Sequence, residues 1–228
     1  MFHLWVGFWI AAACVGALVW GMIIFAIIRY RKRDERAPRQ TQYNLPLEIL
    51  YTAAPFIVVF VLFAYTIHGQ DEINKKVDPQ VTVDVVAWKW SWTFNYPDAN
   101  VYETGEPEQF PVLYLPVDEP VQFNLSSSDV IHSFWVPAFY FKMDVVPGRH
   151  NSFTMTPTKI GEFAGKCAEL CGAGHSQMLF TVRIVTRAQF DVEMARLKSI
   201  GQTGQAPAPK APMIIVGTTT ADNGEEPK

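Results

Sequence analysis

The residues best equipped for chemistry lie in one stretch, Gly165-Lys-Cys-Ala-Glu-Leu-Cys-Gly-Ala-Gly-His-Ser-Gln-Met178. It holds two thiols, Cys167 and Cys171, with an imidazole at His175 and a thioether at Met178. Thiolate, thioether and imidazole together select copper or zinc over the hard cations, which take oxygen. Two sulfurs able to bridge and two weaker terminal donors suit two coppers sharing electron density. Three other arrangements compete. A disulfide is open to an extracytoplasmic domain, but it gives His175 and Met178 no purpose. Structural zinc usually pairs a short Cys pair with a second Cys or His pair, and methionine serves it poorly. A blue-copper centre uses one thiolate, two histidines and a weak axial methionine, so one cysteine is surplus.

A copper reading requires a second histidine, and the best placed is His132 in Ser128-Asp-Val-Ile-His-Ser-Phe-Trp-Val-Pro137. A lone histidine on such an apolar strand is more often a satisfied core residue than a ligand. His150, in a turn beside Arg149, and His68, at the end of an apolar run, are weaker rivals. Blue-copper-like sandwiches bring one histidine from an early strand to a late Cys-His-Met loop, which favours His132.

The rest of the chain must position these groups. Its 228 residues have room for one ordinary domain and a membrane anchor. Hydrophobic residues reach 49% and the mean hydropathy is +0.07, with the excess in roughly the first 70 residues. The net charge of −3 is too small to bear on nucleic acid, and with no basic stripe or nucleic-acid motif no such partner is expected. Cys14, between Ala-Ala-Ala and Val-Gly-Ala, reads as a small buried helix residue. The run 4–28 is uncharged and long enough to cross a hydrocarbon core of about 30 Å. A cleaved signal peptide would have a shorter apolar core, preceded rather than followed by basic residues. Here Arg29, Arg31, Lys32, Arg33 and Arg36 follow, placing that loop in the cytoplasm and the N-terminus outside. Met1 lies almost against the first apolar run, so a translocated N-terminus is very short or follows processing. A second run, 47–67, broken only by Glu48 and Pro55, returns the chain to the outer face. We therefore expect a transmembrane hairpin over 1–70, an extracytoplasmic domain over 71–200 and a flexible, Gly/Pro/Ala/Thr-rich tail over 201–228.

From Gln80 the pattern becomes short β-rich runs at 81–86, 88–96, 112–115, 121–125, 152–155, 161–164 and 179–185, punctuated by turn residues such as Asp78-Pro79 and Glu119-Pro120. Such spacing predicts an antiparallel sandwich or barrel, with the cysteine loop joining its last two strands. Read as one strand, 88–96 puts Trp88, Trp90 and Trp92 on a single face. Phe190, Met194 and Leu197 recur at helical spacing after Thr186, a plausible N-cap.

The ligand loop, from Cys167-Ala-Glu-Leu-Cys171 to His175 and Met178, together with His132, resembles the dinuclear CuA motif of subunit II of haem-copper cytochrome c oxidases. No ligand position departs from that pattern, and the resemblance extends from the first apolar run to about residue 186. It implies a cupredoxin-like Greek-key sandwich on a two-helix transmembrane hairpin, in the plasma membrane with the sandwich on the periplasmic side. It implies that Cys167 and Cys171 bridge two coppers, and that His132, His175, Met178 and the Glu169 backbone carbonyl are terminal ligands. Electrons then pass from a cytochrome c, soluble or membrane-anchored, to haem held only in subunit I, where oxygen is reduced and protons are translocated; subunit III is a further partner. The segment from Glu48 to Pro55 is similar to the family segment whose glutamate stands at the mouth of a proton channel, although an interfacial carboxylate is the simpler reading. Asp144 and the Glu169 side chain look like the family's contacts to magnesium at the interface with subunit I, a hard cation suited by carboxylates. Trp88 is expected as the exposed indole above CuA that receives electrons, with Lys89 where an aromatic residue is usual, a cation that disfavours a basic donor. The rival readings are a quinol oxidase subunit II, which lacks the copper ligands, a nitrous oxide reductase, whose propeller domain has no room here, and a copper-delivery or sensor protein.

Overall fold

An uncharged run in hydrocarbon must pair its backbone polar groups internally, and a helix does so. The computed structural model describes residues 2–32, 40–75, 77–106 and 109–206. Arg33 and Arg36 of the basic loop, and 207–228 of the tail, lie outside the described residues. The chain divides into two units, one ending at Lys75 and one beginning at Lys76. The first holds helices α1 (Phe2–Arg29) and α2 (Leu45–Asn74), both long and apolar enough to cross a membrane. Neither buries a residue within its unit, so Cys14 is exposed on α1 rather than buried as expected; apolar side chains all round suit lipid or partner helices. At 30 residues and about 1.5 Å per residue, α2 outruns the hydrocarbon core. Its end therefore passes beyond Ile67, through the polar residues from His68 to Asn74. At its start the Asn44 side chain accepts from Leu47 N, and Glu48 Oε1 accepts from Asn44 N at 2.9 Å, so Glu48 serves as half of a helix cap.

The second unit contains β1 (Val81–Trp88), β2 (Ser91–Tyr96), β3 (Val101–Thr104), β4 (Val112–Pro116), β5 (Val121–Ser127), β6 (His132–Val136), β7 (Phe141–Val145), β8 (Asn151–Met155), β9 (Gly161–Cys167) and β10 (Leu179–Val185), then α3 (Arg187–Ser199). They form two five-stranded sheets, ordered β3-β2-β1-β5-β8 and β4-β10-β9-β6-β7. Pairing is not purely antiparallel as the turn pattern suggests, since β1 runs parallel to β5 and β4 to β10. Parallel neighbours arise because the chain changes sheets between them: β4, in the opposite sheet, separates β1 from β5.

The aromatic run 88–96 is not one strand. β1 ends at Trp88, Lys89 and Trp90 form the turn, and β2 pairs back with Trp88 opposite Ser91. The segment lacks the Gly or Asn that marks a tight hairpin; its turn is instead anchored from outside, Lys89 N donating to Asp129 Oδ2 at 2.7 Å. Trp88 and Trp92 therefore belong to different strands. β3 and β7 are too short and too polar to stand out in the sequence.

Alternation fills the space between the sheets. Val81, Val83 and Val85 of β1 point inward beside Val121, Phe123 and Leu125 of β5. Beneath the cysteine loop, Trp92 meets Phe134 and Phe180 edge-on at 5.8 and 5.3 Å, and Phe134 stacks on Phe180 at 5.0 Å. Such pairs contribute about 0.5–1.5 kcal/mol each beyond area burial. The Tyr96 hydroxyl donates to Tyr114 O and accepts from Tyr114 N, tying the sheets together, and burial pushes this phenol's pKa up. α3 is closed by a capping box between Thr186 and Gln189 and buries Phe190, Met194 and Leu197. Because Phe180 touches Trp92, Phe94 and Phe134, Phe180→Ala should lower unfolding free energy by about 3–5 kcal/mol, measured by denaturant titration.

Candidate metal centre

The cysteine loop is built by strand register. β9 and β10 pair with Lys166 opposite Leu179, and Cys167 N donates to Met178 O at 3.0 Å, closing the base of the loop. β6 pairs with β9 so that Phe134 lies opposite Cys167, and Ala168 N donates to Ser133 O. This brings His132, the first residue of β6, against the thiols. A 3-10 turn over His175–Gln177 then returns His175 and Met178 to the same point.

The Cys167 and Cys171 sulfurs stand 3.8 Å apart, and both thiols are free. A disulfide requires about 2.05 Å, whereas two sulfurs bound at about 2.3 Å to one tetrahedral metal stand about 3.8 Å apart. His132 Nδ1 lies 3.9 Å from Cys167 Sγ, and Glu169 O lies 3.2 Å from that sulfur. On the other thiol, His175 Nδ1 is at 3.6 Å and Met178 Sδ at 3.8 Å. His132 and Met178 are fully buried, Cys167 and Cys171 nearly so, and His175 is half-buried. One four-coordinate metal leaves two of these groups over; two metals sharing both thiolates use all of them. The donor set therefore fits a soft-metal pair.

Two neighbours of the site escape a reading by motif. Asp129 Oδ1 lies 2.8 Å from His132 Nε2, leaving Nδ1 to face the thiols. Burial opposes charge on both groups, but hydrogen bonds outweigh it. His132, Val130 N and Lys89 N hold Asp129 below the usual carboxylate range, and Cys167 and Asp129 raise His132. A carboxylate on the remote nitrogen is the usual partner of a metal-bound histidine, and an acid three residues before His132 was the available signal.

The second neighbour corrects the reading of the tryptophans. Trp88 is only 8% exposed, and its indole donates to Thr93 Oγ1; the end of a strand has carried it into the core. Trp90, half-buried on the turn, lies over the loop instead, donating from Nε1 to Cys171 O at 3.2 Å. A Cβ on Gly174 would stand 2.5 Å from the Trp90 ring, and Gly172 holds φ +121 beside it. Glycine at these positions, which no larger residue could occupy beside an indole, was the sequence signal. Trp92 is wholly buried beneath the site and donates to Met178 O.

Asp144 is an exposed residue of β7 opposite Ser133, and Glu169 is exposed on the loop. Among the described residues, the one group of three or more metal-capable His, Cys, Asp and Glu side chains is His132, Cys167 and Cys171. Glu48 belongs to the first unit, as a helix-capping group. His68 lies in α2, and His150 lies after the Pro147–Gly148 turn, just before β8.

Against known proteins, the family model for the periplasmic domain of cytochrome c oxidase subunit II matches residues 108–185. A probable cytochrome c oxidase subunit 2 of Streptomyces avermitilis is 42% identical, the match covering 90% of this chain and 77% of that protein. The chain belongs to the cytochrome c oxidase subunit 2 family. Another member, from Corynebacterium glutamicum, is 32% identical over 97% of this chain and 82% of its own length. The crystal structure of the periplasmic domain of subunit II (CoxB) of Bradyrhizobium japonicum superposes with a TM-score of 0.50 at 28% identity, covering 54% of this chain and 97% of that one. Membership in the subunit 2 family makes this a membrane component of a terminal oxidase with an extracytoplasmic cupredoxin-like domain, partnered by subunit I. It implies copper at the His/Cys/Cys cluster.

In the metal-free chain the hydrogen bond from the Cys171 thiol, opposed by burial and helped by His132, pulls Cys167 well below the usual thiol range. The same contact, with burial, pushes Cys171 up, so the pair releases one proton easily and keeps the other. An unfolded thiol ionises at about pH 8.5. Cys167 therefore adds stability that is complete above about pH 8.5 and is lost as pH falls toward its folded value, whereas Cys171 erodes stability above about pH 8.5. From about pH 5 to 8, ultraviolet absorbance should show one thiolate from this pair, lost in Cys167→Ser. Two thiols titrating together near the unfolded value would contradict the shared proton.

Proposed function

We propose that the chain is the electron-receiving subunit of an aerobic terminal oxidase of the plasma membrane, taking electrons from a cytochrome c at a dinuclear CuA centre and delivering them to haem in subunit I. The observation that carries this reading is the pair of buried free thiols 3.8 Å apart with two imidazoles, a thioether and a carbonyl divided about them. Cys167 and Cys171 would bridge the metals, with His132, His175, Met178 and Glu169 O as terminal donors. When bound, a copper pair supplies a one-electron site whose charge change is spread over several atoms.

The protein's own groups do the rest. The aromatic floor of Trp92, Phe134 and Phe180 excludes water, so little solvent reorients when charge moves. Trp90 places an indole between the loop and the surface, and we assign to it the electron-receiving role first expected of Trp88. Lys89 beside it is a cation at the docking face, which favours an acidic patch on the donor. Asp144 and the Glu169 side chain would share magnesium with subunit I, so that Glu169 faces copper through its carbonyl and the harder ion through its carboxylate. Glu48 would stand at a proton channel shared with subunit I, whose oxygen chemistry is coupled to proton translocation, and subunit III would complete the complex. The working division moves both expected boundaries: the transmembrane hairpin runs to Lys75 rather than 70, since α2 continues through Asn74, and the CuA domain runs from Lys76 to Ala206 rather than 71–200, since Thr203 bridges Val101 and Ala206 N donates to Asn95 Oδ1, leaving 207–228 as the tail.

Purification tests the assignment: the tagged chain should carry a haem-containing subunit I with it, whereas isolation without haem would favour a copper-delivery role. In that complex, Trp90→Leu should slow rapid-mixing reduction by the natural donor by about tenfold or more, as for a central interface aromatic. Trp88→Leu should reduce stability but leave that rate near its original value; the opposite ranking would return the role to Trp88. Glu48→Gln keeps an acceptor for Asn44 N but removes a protonatable group. Steady-state turnover should fall with haem and copper content unchanged, and unaltered turnover would leave Glu48 as a helix cap.

A further inference from the structure

One carboxylate connects the two halves of the site. Asp129 Oδ2 accepts from Lys89 N at 2.7 Å, while Oδ1 accepts from Val130 N at 2.6 Å and lies 2.8 Å from His132 Nε2. Its side chain is 13% exposed, and its own loop is fixed. Asp129 N donates to Ser127 Oγ, Ser127 Oγ donates to Val130 O, and Ser128 N donates to Ala87 O at the end of β1. Lys89 begins the turn that carries Trp90, and Trp90 reaches Cys171 O. The contacts thus run from the His132 imidazole through Asp129 and the Lys89–Trp90 backbone to the cysteine loop.

We propose that Asp129 is a positioning residue for both ends of the electron path, fixing the His132 ring with Nδ1 toward the thiols and holding the turn that lays Trp90 over them. The proposal rests on reading the site as a copper centre. An aspartate suits it because its two acceptor oxygens serve three partners at once, the Lys89 and Val130 amides and the His132 ring. Asparagine has one acceptor and one donor end. With its oxygen toward Lys89 N, its amide N–H faces His132 and favours the tautomer that protonates Nδ1. With its oxygen toward His132, its N–H meets the Lys89 N–H and the turn must shift.

The test is Asp129→Asn in the intact oxidase complex, with two readouts independent of turnover: nitrogen hyperfine couplings of the copper centre, and copper loss to a competing chelator. The expected result is an altered His132 coupling and copper held about 10–100-fold more weakly, the usual effect of removing a ligand's carboxylate partner. Should Asp129→Asn fail to assemble, Asp129→Glu, which keeps both oxygens one methylene further out, should assemble with a displaced coupling. Unchanged couplings and unchanged copper retention in the variant that assembles would overturn the positioning role. A drop in thermal stability with both readouts unchanged would overturn it too, reducing Asp129 to a loop fastener. The unaltered complex separates the two levels of inference: absence of copper there defeats the copper reading itself, whereas a normal copper centre insensitive to Asp129 defeats only this proposal.

Discussion

Everything at the site depends on keeping two buried sulfurs side by side without letting them bond. The closure of the loop by Cys167 N and Met178 O, within the β9–β10 ladder, sets the ends of that loop. The 3.8 Å separation between the sulfurs follows from the path between them. A metal-free thiol pair in an oxidising compartment is exposed to disulfide formation, so filling the site with metal protects the geometry it needs. Binding of this kind adds to folding stability, because an unfolded chain offers no preformed cluster.

The surrounding packing keeps that geometry from relaxing. Trp92 participates in both layers, its ring against Phe134, Phe180 and His132 and its indole N–H on Met178 O. Close-packed aromatic groups respond little to a change of charge beside them, which is the property an electron-transfer site requires. Strands hold His132 and Cys167, while the other donors lie on the cysteine loop, which is pinned by Ala168 N on Ser133 O and by the Trp90 indole. Opposed to this rigidity stands the cost of burying polar groups, which Asp129 offsets for His132.

Much of this was legible in the sequence, for physical reasons that differ from element to element. The membrane helices were readable because hydrocarbon demands long uncharged runs, and α3 because Phe190, Met194 and Leu197 recur at helical spacing after Thr186 as N-cap. The gathering of these side chains was readable because few arrangements need two thiols, two imidazoles and a thioether. The hairpin at Lys89–Trp90 was not, since its residues have strand propensity and the contact that makes the turn comes from Asp129, forty positions away. Trp88 was expected at the surface through the resemblance, and reading 88–96 as one strand, with its three tryptophans on one face, gave no reason to prefer Trp90. Asp129 itself was hidden because an acid in a loop is commonplace, and only the fold shows which imidazole it meets.

The central claim, that one cluster of donors holds two coppers as a single electronic unit, is most directly tested by metal analysis combined with electron paramagnetic resonance of the oxidised complex, after subtraction of the haem-subunit copper. The account predicts two coppers per chain and one unpaired electron shared by both nuclei. One copper with a spectrum localised on a single nucleus, or zinc in its place, would contradict it.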